Sequence, residues 1–126
     1  MSIEELRSKF IVSDDVLKTR IEALVEKARN HCLVAEDGLV HIMDKALPAK
    51  DKIKLVLVAR ALAAQLDEKF DSNVSVDDLV RSLGIEPNQL RARANEIVKE
   101  RFARSIERGV YAANPHKIDG FLESLS

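Results

Sequence analysis

The sequence predicts a mainly α fold with short β-hairpins, built as two similar modules that share one central helix. Three observations carry this reading. The stretch Asp51–Leu66, DKIKLVLVARALAAQL, is apolar at every position from Leu55 to Ala64 except Arg60. A soluble helix this apolar is buried on most sides rather than along one stripe, and the run is too short for a membrane span, which needs ~20 apolar residues. The segments before and after it follow the same order of capped short helix, turn, longer helix and hairpin with a Gly-bearing turn. Finally, the chain has only four Gly and three Pro, and its apolar residues are mostly Leu, Val, Ile and Ala, a composition that favours helices.

In the first flank, Ser2 is a good N-cap and Glu5, three residues on, completes a capping box, so a short helix is expected over Ile3–Phe10. Ser13, followed by Asp14 and Asp15, opens a second helix. It carries Leu17, Ile21, Leu24, Val25 and Ala28 at helical spacing and ends near Asn30. The run CLVAEDGLVHIM places two short β-prone segments around Glu36-Asp37-Gly38, the pattern of a hairpin. Leu47-Pro48-Ala49 interrupts the chain before the central helix.

After that helix, Asp71-Ser72-Asn73 reads as a turn. Ser75 with Asp78 forms another capping box, and Val76–Leu83 is a short helix that stops at Gly84. Glu86-Pro87 opens a longer helix, because a Pro in the first turn gives up only an N–H that has no helical partner. Leu90, Ala94, Ile97 and Val98 form its core stripe, and it reaches about Arg101. FARSIERGVYAAN is a second hairpin turning at Arg108-Gly109, and a closing helix follows over residues 117–125.

Aligned at an offset of 73, Ser2 falls on Ser75, Leu6 on Leu79, Leu17 on Leu90, Arg20 on Arg93 and Val25 on Val98. Gly38 reaches Gly109 after a two-residue slip inside the hairpin. The matched positions are mainly those expected to be buried, as an internal repeat requires.

The segment SVDDLVRSLGIEPNQLRARANEIVKERF, followed by ARSIERGVYAANP, resembles the winged helix-turn-helix superfamily found in many bacterial and archaeal regulators. Leu79 and Leu83 in the first helix, Gly84-Ile85 at the turn, Leu90 in the second helix and the Gly-turn hairpin as the wing carry the likeness. It covers about residues 51–125. The resemblance implies that the central helix completes a three-helix core and that the later helix reads duplex DNA. The family usually has a Gly after that helix, whereas Arg101 stands here. The first flank resembles the family more weakly: it has no helix before Ile3, and Ile11 sits where the turn Gly would be. The expected division is therefore a degenerate winged-helix-like module over residues 1–49 and a winged helix-turn-helix module over residues 50–126, the latter containing the shared helix.

A helix turns by about 100° per residue, so the face opposite each core stripe can be read directly. In the second module that face is Asn88, Ala92, Asn95 and Lys99, with Gln89 and Glu96 to one side and Arg91 and Arg93 flanking. Ala92 lets the helix approach a groove closely, Asn and Gln can bond an adenine edge bidentately, and Arg and Lys suit phosphates. The hairpin adds Arg104 and Arg108. From Glu86 to Lys117 there are seven Lys/Arg against four Glu, a local +3 in a chain of net charge −1. The DNA-binding residues expected are Asn88, Gln89, Arg91, Ala92, Arg93, Asn95, Lys99, Arg104 and Arg108. Exposed charges also serve solubility alone, and Arg91 or Arg93 can pair with Glu96 at little energetic gain.

In the first module the corresponding face is Asp15, Thr19, Glu22 and Glu26, and the hairpin turn is Glu36-Asp37. DNA phosphates repel such a face, so this half is expected to pack or to bind a protein or a second copy.

With 126 residues, 46% hydrophobic and 33% charged, the chain has the composition of an ordinary globular protein. Its single cysteine, Cys32, excludes an intramolecular disulfide and fits a reducing compartment. The start MSIEELRSKF lacks a basic n-region and a long apolar run, so no signal peptide is expected and the location read is cytoplasmic. His31, Cys32 and His41 do not have zinc-ligand spacing, and no Gly-rich phosphate loop is present. Tyr111 reads as a packing residue able to stack on a sugar or base. The expectation is a non-enzymatic, cofactor-free, non-membrane protein that binds double-stranded DNA, as a transcriptional regulator or chromosome-associated factor. The alternative is a protein–protein adaptor built from the same two modules.

Overall fold

Short-range capping sets most of the helix boundaries in the computed structural model, which describes residues 2–11 and 16–125. The described elements are α1 (Ile3–Phe10), α2 (Val16–Ala28), β1 (Cys32–Val34), β2 (Val40–Ile42), α3 (Ala49–Leu66), β3 (Val74–Ser75), α4 (Val76–Leu83), α5 (Pro87–Lys99), β4 (Ala103–Glu107), β5 (Val110–Ala113) and α6 (Pro115–Ser124). The chain is thus mainly helical, with one two-stranded and one three-stranded antiparallel sheet.

The Ser2 hydroxyl accepts the Glu5 N–H at 3.1 Å, and the Ser75 hydroxyl accepts the Asp78 N–H at the same distance. These caps satisfy N–H groups that have no partner inside the helix. Gly38, Gly84 and Gly109 all have positive φ, at 88°, 68° and 75°, which a residue without Cβ adopts at little cost. Gly84 ends α4 in the left-handed conformation, and its N–H reaches the Val80 carbonyl at 2.7 Å. The positions Ser13, Asp14 and Asp15, expected to open α2, lie outside the described residues, as does the side chain of Thr19.

Helix α3 is the centre of the packing. Ile53 and every residue from Leu55 to Ala63 are buried, and α3 contacts α2, β1 and β2 from the first flank and α4, α5 and β5 from the second. One core joins Leu17, Leu24 and Val40 to Leu79, Leu90, Ile97, Ile118 and Leu122 through it. Each such side chain contributes roughly 1.5–3 kcal/mol on removal from water. Arg60, the one charge in the apolar run, is 8% exposed and bonds the Asp78 carboxylate at 3.3 Å.

Several expectations are corrected. α2 ends at Ala28, not near Asn30, and α5 at Lys99, not at Arg101. α3 begins two residues early, after Pro48. α6 begins at Pro115, where Pro at the first helical position is tolerated, rather than at Lys117. Strand β3 was not expected; it pairs with β5, giving the order β3-β5-β4. The largest correction concerns α1. It was expected to pack as part of its flank, yet Ile3, Leu6 and Phe10 are 80%, 48% and 87% exposed.

The two flanks meet away from α3 as well. α6 packs on α2, where Asp119 accepts from Arg20 at 2.7 Å and from Lys27 at 2.8 Å, and Lys27 also pairs with Glu123. Hydrogen bonds from Lys27 and then Arg20 hold the Asp119 carboxyl below its usual range. The Val40 N–H donates to Ser82 Oγ at 3.1 Å, so α4 covers part of β2.

Candidate nucleic-acid interface

Helix α5 is held at both ends by groups of its own sequence. The Glu86 carboxylate accepts from the N–H groups of Asn88 at 3.0 Å and Gln89 at 3.2 Å. A helix N-terminus otherwise attracts phosphate; here an internal carboxylate already fills that position, so any anion contact must come from side chains. At the other end the Arg101 N–H reaches the Val98 carbonyl and the Phe102 N–H reaches the Ile97 carbonyl, at 3.0 and 3.1 Å. This is the Schellman pattern. Arg101 occupies its left-handed position with φ 65°, so the turn is as sharp as a glycine would make it, with a side chain in place. Asn114 Nδ2 donates to the Arg101 carbonyl at 2.5 Å and ties the turn to the end of the hairpin.

With Leu90, Ala94 and Ile97 buried, the opposite face of α5 is open. Asn88, Gln89, Arg91, Ala92, Arg93, Asn95 and Lys99 are all exposed, as are Arg104 and Arg108 on the β4–β5 hairpin. They do not form one surface. Asn88, Arg91, Asn95 and Arg108 line a cleft of about 770 Å³ between α5 and the hairpin, together with Ser105 and Tyr111. Gln89, Ala92 and Arg93 line a separate hollow of about 490 Å³ on the other side of α5, facing Ala49 at the start of α3. Asn88 borders both. Lys99 and Arg104 line neither of these two hollows.

The charges are also sorted. Arg93 pairs with Glu96 at 2.9 Å, and Glu100 pairs with Lys50 and Lys54 of α3. The hydrogen bond from Lys50 holds the Glu100 carboxyl below its usual range and raises the Lys50 ammonium. Among the described residues, Arg91, Lys99, Arg104 and Arg108 have no ion-pair partner. Three of the segment's four glutamates are therefore engaged within the protein, while of its seven Lys and Arg only Arg93 is ion-paired among the described residues.

Ser105 and Tyr111 were missed as cleft residues. Tyr111 was expected to pack, and it is 4% exposed; its hydroxyl also donates to Asn95 Oδ1 at 3.4 Å, which orients the amide. Ser105 sits directly opposite Tyr111 only because the register shifts between Ser105 and Glu107; a regular period-two reading back from the Arg108-Gly109 turn would have put Ile106 there, so the pairing was hidden.

The corresponding surface of the first flank mixes charges: Glu22 and Glu26 share a hollow with Lys18 and Arg20, and Glu26 pairs with Arg29 at 3.3 Å. Glu22 and Glu26 are exposed, and the Glu36 turn is held by Lys69. Cys32 lies beneath, 4% exposed, and burial pushes its thiol up to about 11. Cys32 pairs with Ile42, and His41 lies across from Leu33. No group of three or more His, Cys, Asp or Glu able to hold a metal is found among the described residues, and no described helix is long and apolar enough to cross a membrane. Comparison with protein-family models, curated proteins and solved structures finds no match.

Proposed function

We propose that this chain binds double-stranded DNA through residues 49–124, folded as a winged helix-turn-helix, with α5 entering the major groove and the β4–β5 hairpin lying beside it as the wing. The element order α3, β3, α4, α5, β4, β5 supports this, as does the three-stranded sheet in which β3 pairs with the far strand of the hairpin. The observation that carries the reading is the cleft between α5 and the hairpin, which presents Arg91 and Arg108 without acidic partners next to Asn88 and Asn95. Arginine forks neutralise phosphates and position the duplex. On this reading the Asn95 amide, held by the Tyr111 hydroxyl, bonds a base edge. A transcriptional regulator or chromosome-associated factor is the role this activity fits.

On this reading the first flank is a degenerate copy of the second. α1 and α4 both have eight residues and a Ser N-cap, and α2 and α5 both have thirteen. Its exposed face carries Glu22 and Glu26 where α5 carries Asn95 and Lys99, which disfavours contact with phosphates. The exposed apolar side of α1 favours a second reading for that half, as a protein-binding surface.

The test is a fluorescence-anisotropy titration of labelled duplex across salt concentrations. Binding is expected at low salt, with log affinity falling linearly with log salt by about 0.9 for each phosphate contact. Absence of binding at low salt rejects the DNA reading and leaves the adaptor reading.

A further inference from the structure

Helix α1 carries Ile3, Leu6 and Phe10 at spacings of three and four, on one side of the helix. With Ile11, these make up four of the eight large apolar residues that the described chain leaves exposed, and Ile11 is 54% exposed. At the offset of 73, Ile3, Leu6 and Phe10 correspond to Val76, Leu79 and Leu83 of α4. There the same positions are packed against the core. α1 is therefore patterned to dock, but no neighbour among the described residues covers it.

A matching surface exists elsewhere on the chain. An open apolar groove of about 240 Å³ lies along the later part of α2, strand β1 and the end of α3, lined by Val25, Ala28, Cys32, Leu62, Leu66 and Phe70. Leu33 and Leu66, at 56% and 64% exposed, account for two more of the exposed apolar residues.

We propose that the protein forms a twofold dimer in which α1 of each copy lies in the groove of the other. Three arguments select a second copy as the occupant. The first is area. A stable interface needs ~800 Å² from each partner, and one helix of eight residues, about 12 Å long, cannot provide that alone. Reciprocal exchange doubles the contact and closes it, because each copy both gives and receives a helix. The second is charge. With α1 antiparallel to α2, Glu4 and Glu5 in its first turn approach Arg29, which lines the groove and is paired within α2 only through a long, exposed contact to Glu26 at 3.3 Å. Arg7 and Lys9 in its last turn approach Glu22. The third is the pairing itself, since both complementary apolar surfaces belong to this chain and six of its eight exposed apolar residues fall on them.

The experiment is sedimentation equilibrium of the full chain without DNA, across micromolar concentrations. The expected result is a concentration-dependent rise toward twice the 14.1 kDa chain mass. Phe10→Asp and, separately, the double change Leu33→Gln with Leu66→Gln should each raise the dissociation constant at least tenfold. All three positions are exposed, so circular dichroism should show an unchanged fold. Mixing the two variants restores one of the two helix–groove contacts, so mixed dimers should form more readily than either variant self-associates. Ile106→Asp, on the exposed face of the hairpin, should leave the dimer unchanged. A wild-type monomer at every concentration overturns the proposal, whether α1 stays free or folds onto its own groove. So does a dimer insensitive to Phe10→Asp. Since no DNA is present, neither result depends on the proposed DNA binding.

Discussion

The Arg60 guanidinium lies 3.3 Å from the Asp78 carboxylate, with the two side chains 10% and 21% exposed, and the pair joins α3 to the start of α4. The same guanidinium donates to the Asp71 carbonyl at 2.9 Å, the Gly38 carbonyl at 3.4 Å and the Asn73 carbonyl at 3.5 Å. One buried cation therefore holds the first hairpin turn, the central helix and the entry to α4. Arg60→Leu removes all of these bonds and leaves the half-buried Asp78 carboxylate with Arg81, at 2.6 Å, as its remaining ion pair. Urea unfolding followed by circular dichroism should show a loss of about 3–5 kcal/mol, the range for breaking one side of a buried pair. An unchanged midpoint would mean that the arginine does not hold these elements together.

Asp78 makes part of this stability dependent on pH. Burial alone would raise its carboxyl, but the hydrogen bond from Arg81, the charge and hydrogen bond of Arg60 and the Ser75 N–H outweigh burial and hold it below the usual range. A carboxyl lowered in the folded state stabilises at pH values above its unfolded value of about 3.9 and loses that contribution as pH falls through the lower folded value. Wild-type stability should therefore fall steeply below about pH 4. Asp78→Asn should be less stable at neutral pH and should have a shallower acid limb. Urea midpoints collected at a series of pH values check both.

Arg101 holds a φ of 65° that an L-residue disfavours, at a cost of roughly 1–2 kcal/mol. Glycine relieves that strain but loses more entropy on folding, so Arg101→Gly should stabilise by about 0.5–1 kcal/mol. Gly84→Ala is the reverse experiment. Nothing lies within 4 Å of an added Cβ, so its expected loss of about 1 kcal/mol comes from backbone strain alone. Thermal melts of both variants should move in opposite directions.

The ion pairing around α5 ranks the cations for DNA affinity. Arg91→Ala, Lys99→Ala and Arg108→Ala should each weaken binding and reduce the salt slope by about 0.9, one phosphate contact. Arg93→Ala should do less, because Glu96 already compensates that charge at 2.9 Å. Glu96→Ala, which frees Arg93, should strengthen binding. Anisotropy titrations of the five variants on one duplex settle the order.

Much of this architecture was legible from short stretches. Both short helices were placed to the residue because Ser2 and Ser75 cap them through hydrogen bonds only three residues away. The burial of α3 followed from its unbroken apolar run, and the open face of α5 followed from helical periodicity. Strand β3 was not legible: two residues carry no pattern, and Val74 and Ser75 are a strand only because Tyr111 and Val110 lie beside them. The division of seven of the nine candidate residues between two hollows, with Lys99 and Arg104 in neither, was hidden for the same reason, since it depends on where the hairpin lies against α5.

Local sequence alone determined where helices start and stop, which residues are apolar enough to be buried, and which face of α5 remains polar, because caps, periodicity and turn glycines act within a few residues. The tertiary structure decided that α6 packs on α2 through Asp119, that Arg60 gathers carbonyls from two separate turns, and that α1 stays uncovered by the described residues although it is patterned like α4. Those outcomes depend on contacts between residues far apart in the chain. An apolar stripe records that a helix can be buried; only the arrangement of the other elements determines whether a surface is there to bury it.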